Sequence, residues 1–272
     1  MLIVWLCLLY WGIAPGIDNW VKDAVRVADV ARKDTNPEKY ISRHRGAIIR
    51  GDTTARRLAI VFTGDEYADG GEQIRQTLAH HRVAASFFLT GRFYRNAGFQ
   101  PLIHSLKKDG HYLGAHSDAH LLYCDWTKRD SLLINQKQFR SDLARNYAAM
   151  QLYGVLKKDA RYFLPPYEWY NDSIAAWTQK AGFQLINFTP GTLSHADYTT
   201  PDLKNYRSSR VILASIYAYE QRHPAGLNGF ILLLHVGTHP ARTDKLYAHL
   251  DELLAYLQQK KYRLVRVNEL IR

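Results

Sequence analysis

The stretch DGHYLGAHSDAH, residues 109–120, places His116 and His120 four positions apart, directly after a short apolar run. Two imidazoles at that spacing fit one face of a helical turn and can share a metal ion. Just upstream, ASFFLTG (85–91) reads as a buried strand and PLIHSLKK (101–108) as a helix. Working outward, the same alternation repeats. Strand LAIVFT (58–63) and helix EQIRQTLAHH (72–81) precede the stretch. After it come a long helix over 131–154, strand RYFLP (161–165), helix SIAAWTQKAG (173–182) and strand FQLINFT (183–189). Strand FILLLHV (230–236), helix 245–260 and strand YRLVRV (262–267) complete the chain. Continuous apolar strands separated by helices predict an α/β fold with a parallel sheet covered on both faces. About seven parallel strands are expected, so the closed form is a distorted or incomplete (β/α) barrel.

Cap signals agree with these breaks. Pro101 suits a first helical position, Gly110 and Gly182 suit helix ends, and Thr243 with Asp244 suits a helix start. Leu246, Leu250, Leu253 and Leu257 form a core stripe.

At 272 residues and 47% apolar side chains, the chain can bury one large core. Its formal net charge of +11 suits anionic partners. The Lys and Arg are scattered, however, and no basic run interleaved with aromatics marks a nucleic-acid face. Residues 1–17, MLIVWLCLLYWGIAPGI, are apolar, too short to span a bilayer comfortably, and end in small residues like a signal peptide, so export is expected. Cys7 falls in that leader, which leaves Cys124 without a disulfide partner. Residues 18–57 read as an extension wrapped on a main domain over 58–272. Oligomeric state is not legible in the sequence.

In parallel β/α folds, the loops after the strand ends converge on one face and carry the catalytic groups. Asp65 and Glu66 follow the first strand, His116 and His120 the third, residues 165–170 the next, and His235 ends a run of five apolar residues. Two histidines and one carboxylate leave open positions on a divalent ion. Such N/O ligation suits zinc first, with cobalt, nickel or iron as alternatives. Metal-assisted hydrolysis needs that ion, a water it acidifies, a base, and an acid for the leaving group.

Taken in order, ASFFLTGRF, DGHYLGAHSDAH, YFLPPYEWYN and GFILLLHVG resemble the polysaccharide deacetylases, the carbohydrate esterases of family 4 with a NodB-like domain. The resemblance runs from Leu58 to Arg272. It implies a metal held by Asp65, His116 and His120, with Ser117 as the small hydroxyl residue of the histidine motif, Asp118 outside the ligand set, and His235 as the leaving-group acid. Departures cluster at the base. The family pattern Thr-Phe-Asp-Asp corresponds to VFTGDEYADGG (61–71). One register makes Asp65 the base and Glu66 the ligand, whereas the spacing to ASFFLTG puts Gly64 at the base position and Asp65 at the metal, and the second is preferred. The family's Arg-Pro-Pro-Tyr-Gly reads FLPPYEW (163–169) here, with Leu164 for the arginine and Glu168 for the glycine. Its later aspartate is represented only by Asn187 and Thr189, and the Asp that commonly follows the acid is Val236. Glu66 is the preferred replacement base, with Glu168 the other candidate. Pro166, Tyr167, Glu168 and Trp169 form an aromatic-rich loop suited to contacting sugar rings.

The function expected is a metal-dependent hydrolase that removes acetyl groups from an N- or O-acetylated glycan by attack of metal-bound water. A catalytically impaired glycan-binding protein with the same fold is the alternative, and a hydrolase of another amide or ester is a third reading.

Overall fold

The computed structural model describes residues 40–272, so the expected leader over 1–17 and most of the extension over 18–57 lie outside the described residues. A hairpin of β1 (Ser42–His44) and β2 (Ala47–Arg50) precedes the longest strand, β3 (Arg57–Gly64). There follow β4 (Ser86–Leu89), β5 (Tyr112–Ala115), β6 (Tyr162–Phe163), β7 (Gln184–Leu185), β8 (Ile231–His235) and β9 (Arg263–Leu264). From β3 onward they form one seven-stranded sheet in the order β7-β6-β5-β4-β3-β8, with β9 beside β3, and every pairing in it is parallel.

Helices α1 (Gly71–His80), α2 (Gly91–Arg95), α3 (Gln100–Lys108), α4 (Gln136–Gln151), α5 (Asp172–Lys180), α6 (Ser209–Arg222), α7 (Leu250–Gln259) and α8 (Val267–Leu270) connect or follow the strands. Alternate residues of each strand serve two apolar layers. Ala59, Val61, Phe88, Ile231 and Leu233 pack in one cluster with Ile48 and Ile186. Leu58, Ile60, Phe62, Phe87, Leu232 and Leu234 pack in the other with the helices' Ile74, Leu78, Leu253 and Leu257. Burial on both faces explains why the strands read as unbroken apolar runs.

The sheet curls into an incomplete barrel whose open side lies between β7 and β8. Two pieces of irregular backbone fill it. Ile48 bridges Ile186 in parallel and Arg50 bridges Phe230 in antiparallel fashion. Beyond β7, Asn187 N donates to Ile48 O at 2.8 Å and Thr189 N to Ile231 O at 3.0 Å. The Thr189 hydroxyl accepts from Ile231 N at 2.9 Å and donates to Ile49 O. Residues 47–50 are thus part of the domain, and its boundary falls ahead of β2 rather than at Leu58.

Other differences from the sequence reading have local causes. The long helix starts at Gln136 instead of Ser131, because Asn135 and Gln138 form a capping box and Leu132 is drawn into a bridge with Cys124. Helix α6 is absent from the reading because RVILASIY resembles a strand; Ser208 caps it. Asp244 does not start the last helix. Its carboxylate instead accepts from Ser209 N at 2.6 Å and so caps α6. Cys124 is buried and unpaired among the described residues, and no described helix is long and apolar enough to cross a membrane.

Ile48 is 1% exposed, so Ile48→Ala should lower unfolding free energy by about 2–5 kcal/mol in urea titration. A change of a few tenths would mean that residues 47–50 merely rest on the barrel.

Candidate active site

The chain leaves β5 at His116 and enters a loop, not the helical turn that the histidine spacing suggests. Ser117 (φ 73°) and His120 (φ 53°) are left-handed, a conformation costing roughly 1–3 kcal/mol at a non-glycine residue unless its surroundings enforce it. Helix α4 enforces it. The fully buried Asp142 carboxylate accepts from Ser117 Oγ at 2.7 Å, Asp118 N at 3.2 Å, Ala119 N at 3.1 Å and Tyr123 Oη at 2.9 Å. One turn on, Asn146 Oδ1 accepts from His116 N at 2.9 Å, and its amide donates to Leu89 O at 3.2 Å. Asp118 is buried and pairs with Arg95 at 2.6 Å and Arg145 at 3.1 Å. Glycine is required at position 91, where a Cβ would stand 1.9 Å from Asp118 Oδ1.

These bonds aim two imidazoles into one cavity of about 730 Å³. His116 Nδ1 lies 2.8 Å from the Leu164 carbonyl, which can only accept, so the proton sits on Nδ1 and Nε2 keeps its lone pair. Burial pushes the His116 ring down to about 3, with His120 adding to the effect, and pushes His120 down to about 4. Both rings are therefore neutral, as ligation requires. Their centres are 5.1 Å apart, and His120 Nδ1 is 3.8 Å from Asp65 Oδ2.

Asp65 accepts from Arg92 Nε at 2.7 Å and Thr90 Oγ1 at 2.9 Å, with a second, close contact from the Arg92 guanidinium to Oδ2. Burial raises its carboxyl, but Arg92, His120 and Thr90 outweigh burial and hold it below the usual carboxylate range. Two neutral imidazoles, one with its tautomer fixed, and one anionic carboxylate suit a divalent transition ion. The set is open: among the described residues, the trio whose ligand atoms all lie within 4.8 Å is His80, His81 and Asp251. That trio sits on the surface, where both His81 nitrogens already face Asp251 and Gln258.

Across the cavity, His235 ends β8 in register with Thr63. Asp197, from the short 3-10 helix Ser194–Tyr198 before α6, fixes it twice, accepting from His235 N at 2.9 Å and facing Nδ1 at 2.6 Å. Burial disfavours the charged ring, yet the Asp197 charge and hydrogen bond prevail, and His235 titrates above the ordinary imidazole range. Glu168 lies within electrostatic reach of both. Burial pushes its carboxyl up to about 7, with His235 opposing and Asp197 reinforcing the shift. Tyr167 (φ 58°) and Glu168 (φ 53°) are both left-handed, so Glu168 adopts backbone that the family's glycine takes without cost. Asn187 Nδ2 holds it by donating to Glu168 O at 2.8 Å.

The structure thus brings together Asp65, His116, His120, Glu168 and His235 around one cavity, with Tyr167 and Trp169 on its wall. Glu66 also lines it, but its side chain is 59% exposed and its nearest charge is Arg92 at 3.9 Å. Pro166 is buried and does not line the cavity. At Gly64, a Cβ would meet Leu89 Cδ2 at 2.8 Å and Phe93 Cε2 at 3.0 Å, so packing occupies the space a base would need there. Leu164 contributes through its backbone, its carbonyl facing His116 Nδ1.

The sequence reading missed Asp142, Asn146, Asp197, Arg92 and the exposed aromatics Trp126 and Tyr198. Asp142 and Asn146 did carry a signal, being polar residues four apart on the helix face that otherwise presents Phe139, Leu143, Tyr147 and Met150 to the core. Trp126 packs on Tyr167 (5.5 Å) and Trp169 (5.6 Å), and Tyr198 lies 5.2 Å from His235, giving the cavity an aromatic rim.

Fold and site together define a family 4 type of carbohydrate esterase architecture. The chain belongs to the polysaccharide deacetylase family, which it matches over residues 50–186. It is 24% identical over 267 residues to the peptidoglycan-N-acetylmuramic acid deacetylase PdaA of Bacillus subtilis, covering 96% of this chain and 85% of that protein. It is 24% identical over 244 residues to a peptidoglycan-N-acetylglucosamine deacetylase of Bacillus cereus, covering 89% and 97%. Among solved structures it resembles a family 4 pseudoenzyme from Bacillus anthracis, with a TM-score of 0.63 at 18% identity, covering 85% of this chain and 70% of that one.

Asp142→Ala should release the histidine loop, cutting metal affinity by about 10–100-fold in competition with a chelating dye. Unchanged affinity would show that β5 alone positions the histidines. Asp197→Asn should lower the pH at which the His235 ring deprotonates, read by NMR of its carbon-bound protons; an unmoved titration would deny Asp197 that role.

Proposed function

We propose that the chain is a metal-dependent carbohydrate deacetylase that hydrolyses acetyl groups on an N- or O-acetylated glycan, with peptidoglycan-type polymers the first substrates to test. The observation that carries this reading is one cavity holding two neutral histidines and an anionic aspartate opposite an acid–base pair, Glu168 and His235. Asp65, His116 and His120 would hold the ion, which when bound supplies Lewis acidity toward the acetyl carbonyl and the attacking water.

The chain's own groups do the rest. Trp126, Tyr167 and Trp169 offer ring faces to the sugar and fix its acetyl group over the histidines. Glu168, with a carboxyl poised near 7, accepts the proton of the attacking water. His235, kept protonated by Asp197, gives a proton to the departing sugar nitrogen or oxygen. Glu168 is preferred to Glu66 because its half-buried carboxyl lies within electrostatic reach of His235, whereas the Glu66 side chain is 59% exposed beside Arg92.

The pH dependence follows from the two shifts. The basic form of Glu168 grows in as pH rises through about 7, and the acidic form of His235 is lost as pH rises past its own raised value. A bell-shaped rate profile is expected, with its rising limb near 7. Glu168→Gln should reduce acetate release by about 10²–10⁴-fold while metal content is unchanged. The same substitution should stabilise the fold above pH 7. A carboxyl raised on folding contributes stability that is full below its unfolded value and lost as pH rises through the folded one. If Glu66→Gln abolishes the rate and Glu168→Gln does not, the assignment of the base is reversed. His116→Ala and His120→Ala should each lose metal in elemental analysis.

One observation favours a glycan-binding protein without turnover: Gly64 leaves no room for a base at the family position. Metal-loaded protein that binds acetylated oligosaccharides but releases no acetate would establish that second reading.

A further inference from the structure

A second concavity, of about 610 Å³, opens at the other end of the sheet, where β5 and β6 begin. Tyr112, the first residue of β5, is on its wall, and the same strand leads to His116 at its far end. The two cavities therefore lie at opposite ends of one strand and share no residue.

The wall of the second cavity carries Lys107, Lys158, Arg161, Arg266 and Arg272 against a single acid, Asp159. Five cations less one anion leave a net +4. Glu269 offsets part of this, lying within electrostatic reach of both Arg266 and Arg272, and the rest is carried by exposed cations. Arg266 pairs with Glu269 at 2.6 Å and Lys107 donates to the Tyr153 carbonyl, but Lys158 and Arg161 are exposed and have no ion-pair partner among the described residues. Arg266 Nε, on the same wall, is a buried donor without a hydrogen-bond partner. Like charges gathered in a concavity repel one another and focus a positive field into it, which concentrates anions there. Pyrophosphate carries about three negative charges near neutral pH and a phosphodiester chain one per repeat, so either supplies several charges where a single carboxylate would supply one. Guanidinium forks and ammonium groups are the donors that oxyanions of phosphorus use. In contrast to the active site, this cavity has no tryptophan on its wall, and of its tyrosines Tyr112 is buried.

We propose that this cavity binds an anion bearing at least two phosphoryl groups, either a small diphosphate or a segment of a phosphodiester polymer. The site is independent of the deacetylase chemistry.

The test is calorimetric titration of the full chain with inorganic pyrophosphate, and in a second arm with a short glycerol-phosphate oligomer. Lys158→Gln/Arg161→Gln is compared with Lys137→Gln/Lys204→Gln, a pair of exposed lysines outside the cavity that changes net charge equally. The first variant should raise Kd at least about tenfold and the second should leave it within about twofold, with both melting as wild type does. Tighter binding of pyrophosphate would identify a small diphosphate ligand, and tighter binding of the oligomer a polymer. No binding of either probe at millimolar concentration, or equal weakening by the two variants, would overturn the proposal.

Discussion

The site depends on one buried carboxylate. Asp142 gathers a serine hydroxyl, two backbone amides and a tyrosine hydroxyl onto its two oxygens, and the loop so gathered is the one that carries both histidines. Burying a carboxylate is costly without such donors, and holding Ser117 and His120 left-handed is costly without an anchor. Each cost is met by the same set of bonds. That economy ties the histidines to α4, so the spacing of His116 and His120 reflects an anchored loop and not a helical turn.

The opposite wall follows a comparable rule, with Asp197 holding His235 by both backbone and ring. Between these anchored histidines, the residues that differ from the family pattern have been given other work. Leu164 offers its carbonyl to His116, Asn187 supports the strained Glu168, and Thr189 closes the barrel. An arginine stands at the Asp65 carboxylate, as Arg92, and it arrives from α2. A carboxylate titrating near neutrality enters at Glu168, in the place of a glycine. The set of charges is thus rearranged among elements, in keeping with the cost of leaving any one of them buried and unpaired.

The barrel's two ends also differ in character. The face at the strands' C-terminal ends is rimmed by aromatics and holds the histidines, whereas the concavity at their starts is lined mainly by cations. A net charge of +11 that looks scattered along the chain is in part collected there by the fold.

By itself the sequence determined the parallel α/β architecture, because strands buried on both faces must be continuous apolar runs and helices between them must be amphipathic. It also picked out strand ends that converge: Asp65, His116, His120, Glu168 and His235 all line one cavity. Only the tertiary structure decided how they are held and which acid is in position. Asp142, Asp197 and Arg92 lie 25, 38 and 27 residues from the groups that they bind, namely Ser117, His235 and Asp65, and no local pattern encodes such pairings. The difference between Glu66 and Glu168 is one of burial, which neighbouring letters cannot convey: one carboxyl stands in solvent and the other is half-buried within electrostatic reach of His235. The same is true of residues 47–50, whose place in the barrel depends on a gap between β7 and β8 that exists only once the sheet has curled.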